Sequence, residues 1–106
     1  MTHDLILNNI SKHISLDNEE IAYFISLVKP KQLIKKNFIL KEGQLCKFIS
    51  FVNSGTLRAY YLDKEGKEAT IMFAVTDWWI TDMYCYINRL PAMLNIEAVE
   101  NSSIFQ

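Results

Sequence analysis

The sequence predicts a mainly β domain, an antiparallel sandwich or barrel preceded by an amphipathic helix. From Gln32 onward, short runs rich in β-branched and aromatic residues follow one another: Phe38-Ile39-Leu40, Phe48 to Val52, Leu57 to Leu62 and Ala69 to Val75. The three glycines, Gly43, Gly55 and Gly66, each fall between two such runs. Turns therefore recur roughly every dozen residues, the spacing of small all-β domains. Before Pro30 the pattern is different: Ile21, Phe24, Ile25 and Val28 follow the i, i+3, i+4, i+7 rule of a helix with one apolar face.

Taken in order, Asp17 with Glu20 three residues later forms a capping-box signature for that helix, and Pro30 stops it. Residues 1–31 are thus expected to be a helical N-terminal segment and residues 32–106 a β-barrel, together one domain. In Thr56 to Leu62 the side chains of Leu57, Ala59 and Tyr61 share one face and Arg58, Tyr60 and Leu62 the other. Asp63-Lys64-Glu65-Gly66 reads as a tight turn joining two antiparallel strands, with Gly66 supplying a positive φ. Across that hairpin Ala69, Ile71, Phe73 and Val75 are expected to continue the inward face. Asp82 to Ile87 suits a short helix with Thr81 or Asp82 at its N-cap. Leu94 to Val99 returns to strand. The last residues, Ile104-Phe105-Gln106, read as though the sequence stops inside a strand, so the barrel is expected to be incomplete at its C-terminal end. Neither an internal repeat nor a low-complexity tract interrupts it.

The chain has 106 residues, 50% hydrophobic and 22% charged, with 11 basic and 12 acidic side chains and a net charge of -1. That balance gives no basic surplus to draw it to nucleic acid or anionic lipid. There is no apolar run of about 18 residues and no signal-peptide pattern at His3 and Asp4, so a cytoplasmic location without membrane contact is expected. Cys46 and Cys85 stand alone, with no CxxC and no neighbouring histidine, and read as reduced, buried thiols. The two histidines, His3 and His13, precede the barrel. A cupin-like metal site inside it therefore lacks imidazoles, heme or iron–sulfur binding lacks ligands, and no Ser/His/Asp grouping suggests catalysis. The expectation is a non-enzyme with no metal and no cofactor.

Lys41-Glu42-Gly43, Phe48-Ile49-Ser50-Phe51-Val52-Asn53-Ser54-Gly55, Leu57-Arg58-Ala59-Tyr60 and Gly66-Lys67-Glu68, in that order and spacing, resemble the first half of a cyclic-nucleotide-binding domain. Ile96-Glu97-Ala98-Val99-Glu100-Asn101-Ser102 is similar to the strand after that family's phosphate-binding cassette. Trp78-Trp79-Ile80 followed by an acidic residue further resembles Crp/Fnr-type regulators of Bacteroidetes-type bacteria. The resemblance covers about Gln32 to Gln106. It implies a jelly-roll, that is, an antiparallel double-stranded β-helix barrel with an N-terminal helix and a short helix in the cassette. In that family a long dimer-forming helix and a winged helix-turn-helix follow, and neither lies in these residues. DNA would be reached only through that absent domain, and a homodimer is implied for the full-length protein.

The family's Gly-Glu pair before the short helix and its Arg-Ser/Thr pair after the proline map onto Thr81, Asp82, Ala92 and Met93. Of these, only Asp82 keeps the family's chemistry: Ala92 has no charge for a phosphate, and Met93 has no hydroxyl to donate. Binding of cyclic AMP in the usual way is not expected. The candidate effector pocket comprises Thr81, Asp82, Met83, Tyr84, Arg89, Ala92 and Met93. Each residue also has an ordinary reading: Asp82 as a helix cap, Arg89 and Arg58 as rim charges, the apolar members as filled core, and Tyr60, Tyr61, Trp78 and Trp79 as packing rather than base-stacking groups. Two functions follow from the resemblance. One is a sensor domain that binds a small-molecule effector; the other is a ligand-free barrel serving as a dimerisation scaffold or stand-alone module.

Overall fold

The computed structural model describes residues 2–106, in which two helices precede eight strands and a third, short helix. Helix α1 (Asp4–Ser11) is a separate element ahead of the expected amphipathic helix. Its fully buried Ile6 packs on Phe51 and Phe105. Helix α2 (Asn18–Leu27) starts as its cap residues dictate: the Asp17 carboxylate accepts the Glu20 N–H at 2.8 Å, and the Glu20 carboxylate accepts the Asp17 N–H at 3.1 Å. Strand β1 (Pro30–Leu33) follows at once, because Pro30 cannot continue a helix but fits the first position of a strand.

The remaining strands are β2 (Phe38–Leu40), β3 (Ser50–Ser54), β4 (Thr56–Leu62), β5 (Glu68–Val75), β6 (Trp79–Ile80), β7 (Asn95–Ala98) and β8 (Ser102–Phe105), with α3 (Met83–Asn88) between β6 and β7. They form two four-stranded antiparallel sheets, in the orders β1-β8-β3-β6 and β2-β7-β4-β5. This is a mainly β jelly-roll with a helical N-terminus and a short helix in the crossover, the architecture expected from the sequence. Leu33, Val52, Leu57, Ile80, Ile96 and Ile104 fill the space between the sheets, and the α1 cluster covers the outer side of the first sheet.

Gly55 makes the corner at which the chain leaves β3 in the first sheet and enters β4 in the second. Its φ is +103°, and a Cβ placed there would lie 2.8 Å from the Ser102 Cα. The Asp63–Gly66 turn also forms as expected. The Asp63 carboxylate accepts the N–H groups of Glu65 and Lys67, both at 2.9 Å, and Gly66 has φ +81° with open space around it.

The inward face of β5 differs from the expectation. Met72 and Ala74 point into the barrel, while Ile71, Phe73 and Val75 are exposed. The cause is a bulge. Tyr60 pairs with Thr70, but the next pair is Ala59 with Met72, so Ile71 is an extra residue. Without it Ile71 would face Ala59 and Phe73 would face Leu57. One unpaired residue reverses the alternation of everything after it.

Both cysteines lie in the core between the sheets. Burial is the main reason each thiol sits above its ordinary pKa of 9.0. Asp82 adds to the rise at both, and for Cys85 a hydrogen bond from the Met93 N–H partly offsets it. A folded-state pKa above the unfolded one gives stability that is full below pH 9 and lost as pH rises beyond it. Stability measured by urea titration should therefore fall above pH 9.0, and the Cys46→Ala/Cys85→Ala variant should lose that part of the fall.

The two glycines give a second check. Gly66→Ala should cost about 1 kcal/mol, from the left-handed backbone alone. Gly55→Ala should cost at least about 3 kcal/mol, because strain and a backbone collision add. Equal losses in denaturant titrations would contradict this account of the corner.

Candidate functional site: a cavity beside the crossover

The chain passes from the first sheet to the second through residues 81–94, and Asp82 holds that crossover together. It is the N-cap of α3: one carboxylate oxygen accepts the Cys85 N–H at 3.4 Å. The other accepts the N–H groups of Met93 at 2.9 Å and Leu94 at 3.1 Å. The side chain is buried, so these three donors stand in for the water a carboxylate would otherwise require. Of the two cap candidates, Asp82 therefore takes the role, and the Thr81 hydroxyl instead donates to the Phe48 carbonyl at 3.0 Å.

The connection between β2 and β3 is tied to the far end of the same crossover. The Ala92 N–H donates to the Gln44 carbonyl at 2.7 Å, and the Gly43 N–H donates to the Ala92 carbonyl at 2.8 Å. Leu45 and Pro91 form an isolated bridge beside them. Ala92 is thus buried in a backbone contact.

The seven candidate residues do not converge on one point. Asp82 and Ala92 lie inside the crossover. Met83, Tyr84 and Met93 are exposed on its outside. Arg89 ends α3 in the left-handed conformation, φ 56° and ψ 42°, and Thr81 faces a cavity.

That cavity, about 370 Å³, lies between the sheets next to the β2–β3 connection. Ile39, Leu40, Ile80 and Ile96 form its apolar walls; Gln44, Lys47, Ser50 and Thr81 add polar groups. The volume is at the lower end of small-molecule sites, and the lining is divided almost evenly between apolar and polar groups. Ser50 is buried, and its hydroxyl accepts from the Gln106 amide at 3.2 Å. A second hollow, about 440 Å³, opens between residues 45–47 and α3 and is lined by Leu45, Cys46, Lys47, Tyr86, Ile87 and Arg89. Leu45 and Lys47 belong to both. Gln44, Lys47 and Ser50 were not among the sequence candidates. They sit in or beside an aperiodic connection whose position over the cavity follows only from its bonds to Ala92.

Arg58 and the aromatic residues are placed elsewhere. Arg58 lies on the outer face of the second sheet, donating to Glu97 at 2.7 Å and Glu68 at 2.8 Å, with its guanidinium carbon 4.2 Å from the Tyr60 ring centroid. The Trp79 indole N–H donates to the Asn9 side chain at 2.8 Å, and its ring meets Phe51 edge-on, so it fastens α1 to the barrel. Among the described residues no group of three or more His, Cys, Asp or Glu side chains is arranged to hold a metal, and no helix is long and apolar enough to cross a membrane.

No protein-family model matches the chain, and no curated protein matches it in sequence. Solved structures do match in shape. The sensor domain of the transcriptional regulator DNR from Pseudomonas aeruginosa superposes with a TM-score of 0.82 at 15% identity, covering 97% of this chain and 68% of that one. The N-terminal domain of a transcriptional regulator from Streptomyces coelicolor A3(2) gives 0.73 at 15% identity, covering 86% of this chain and 64% of that one. The regulatory subunit of a cAMP-independent protein kinase A from Trypanosoma brucei gives 0.81 at 15% identity, covering 98% of this chain but 38% of that one. The chain therefore shares the jelly-roll fold of the DNR sensor domain and of these other regulatory domains.

Proposed function

We propose that this chain is the effector-sensing domain of a Crp/Fnr-type transcription regulator, and that its effector enters the cavity between the sheets. The observation that carries the reading is the cavity itself: about 370 Å³ of space with mixed apolar and polar walls, beside a crossover that three backbone bonds to Asp82 fix in place. A barrel serving only as a scaffold has no need of that hollow. In the full-length regulator, DNA contact and dimerisation belong to segments outside these residues, and switching requires an effector that binds two states with unequal affinity. The protein acts in the cytoplasm and carries out no chemistry on its ligand.

Cyclic AMP is not the effector in this reading. Ala92 offers no charge to a phosphate, and the Asp82 carboxylate, the acid that would meet a ribose, is occupied by the Cys85, Met93 and Leu94 N–H groups. The same fold serves a kinase regulatory subunit that is described as cAMP-independent, which supports use of the barrel for another ligand. Asp82 is assigned as a positioning residue and Thr81 as a cavity residue. Placement among Bacteroidetes-type regulators rests on Trp78-Trp79-Ile80 and Asp82.

Two measurements test this. Calorimetric titration of cyclic AMP should give no saturable heat; micromolar binding would return Asp82 and Arg89 to a cyclic-nucleotide site. Asp82→Ala should destabilise the ligand-free protein by on the order of 3 kcal/mol, because it strands buried N–H groups that now bond to a charged partner. A loss of less than about 1 kcal/mol would remove the positioning role.

A further inference from the structure

We infer that the cavity takes an amphipathic anion, whose apolar body lies between the sheets and whose negative group is held at the mouth by Lys47 and Arg89. The inference rests on the cavity being the effector site and adds the chemical class of the ligand. The walls set the body: Ile39, Leu40, Ile80 and Ile96 offer no charge to a polar molecule. At the rim, Leu45 and Phe48 are 53% and 56% exposed, apolar surface that a bound body would cover.

Two cations set the head group. Lys47 lines both hollows, and Arg89 lines the second one together with Lys47 and Tyr86. Neither has a carboxylate within 4.0 Å among the described residues, a property that many surface lysines share. Their surroundings set them apart: no Asp or Glu lines either hollow, in a chain with 12 acidic residues and a net charge of -1. Arg58 shows the contrast, since Glu68 and Glu97 already satisfy it. Arg89 also occupies a left-handed position that glycine or asparagine fills at less cost. Lys47 at the cavity and Arg89 at the adjoining hollow, with no carboxylate lining either, favour a molecule that brings a negative group to this edge.

Two fluorescent probes with a common aromatic body separate the elements of this inference. 8-Anilinonaphthalene-1-sulfonate carries an anionic group, and N-phenyl-1-naphthylamine is the same body without it. Both should bind the wild-type chain saturably, the sulfonate more tightly. Lys47→Gln and Arg89→Gln should each weaken the sulfonate about fivefold, the double variant more, and the neutral probe less than twofold. Thr81→Phe, with its fold checked by circular dichroism, should block both probes. Equal affinity for the two probes, or no response to the Lys47 and Arg89 variants, would overturn the anion inference while leaving the cavity reading intact. Failure of both probes, or undiminished binding to Thr81→Phe, would overturn the two together, the second by placing the probes in the apolar groove of Ile10, Ile14, Tyr23 and Leu27 between the helices.

Discussion

One buried carboxylate governs the geometry of this domain. Asp82 lies two residues after β6 in the first sheet, and its partners Met93 and Leu94 immediately precede β7 in the second. The three N–H bonds it accepts therefore fix where one sheet ends relative to where the other begins. The β2–β3 connection takes its place from the same crossover through Gln44, Gly43 and Ala92. The cavity has the β2–β3 connection on one side and the sheets on the other, so its shape is a consequence of these bonds. A residue that looks like a ligand group by position is here a brace, and the groups that face the open space come from neighbouring segments.

Much of this was legible in the sequence where local chemistry decides structure. The Asp17–Glu20 box, the Pro30 stop, the Gly66 turn and the inward Leu57 and Ala59 of β4 all act within a few residues and appear as expected. After the register shift at Ala59, however, it is Tyr60 that is buried and Tyr61 that is exposed. The face of β5 was not legible. Its polarity depends on a single bulged residue opposite Ala59 and Tyr60, and nothing in Ala69 to Val75 marks Ile71 as the extra one. Helix α1 escaped for a related reason. No side-chain cap announces its start, and its value lies in burying Ile6 against Phe51 and Phe105, residues far along the chain.

The site was legible only in part. Thr81, Asp82 and Ala92 were found because they occupy the cassette that the resemblance identifies, yet their geometry assigns two of them to the interior of the crossover. Lys47 carried no periodic or motif signal, and its place at the cavity follows from tertiary contacts alone. Arg58, the more conspicuous cation in a strand, is committed to Glu68 and Glu97 on the outer face, where hydrogen bonding to Glu68, then Glu97, outweighs the cost of burial in keeping it charged. Charge in a sequence thus marks a capacity, and the partners within reach determine whether it is already used.

The order of strands also bears on how the molecule assembles. β8 lies between β1 and β3, bonded to both, and the Lys29 and Gln106 backbones exchange hydrogen bonds at its end. The first sheet therefore has no continuous middle until residues 102–105 have been synthesised, whereas the β4–β5 hairpin needs only its own turn. During translation the second sheet has a local nucleus early. The first sheet, with the α1 cluster resting on Phe51 and Phe105, closes last, by joining segments some seventy residues apart.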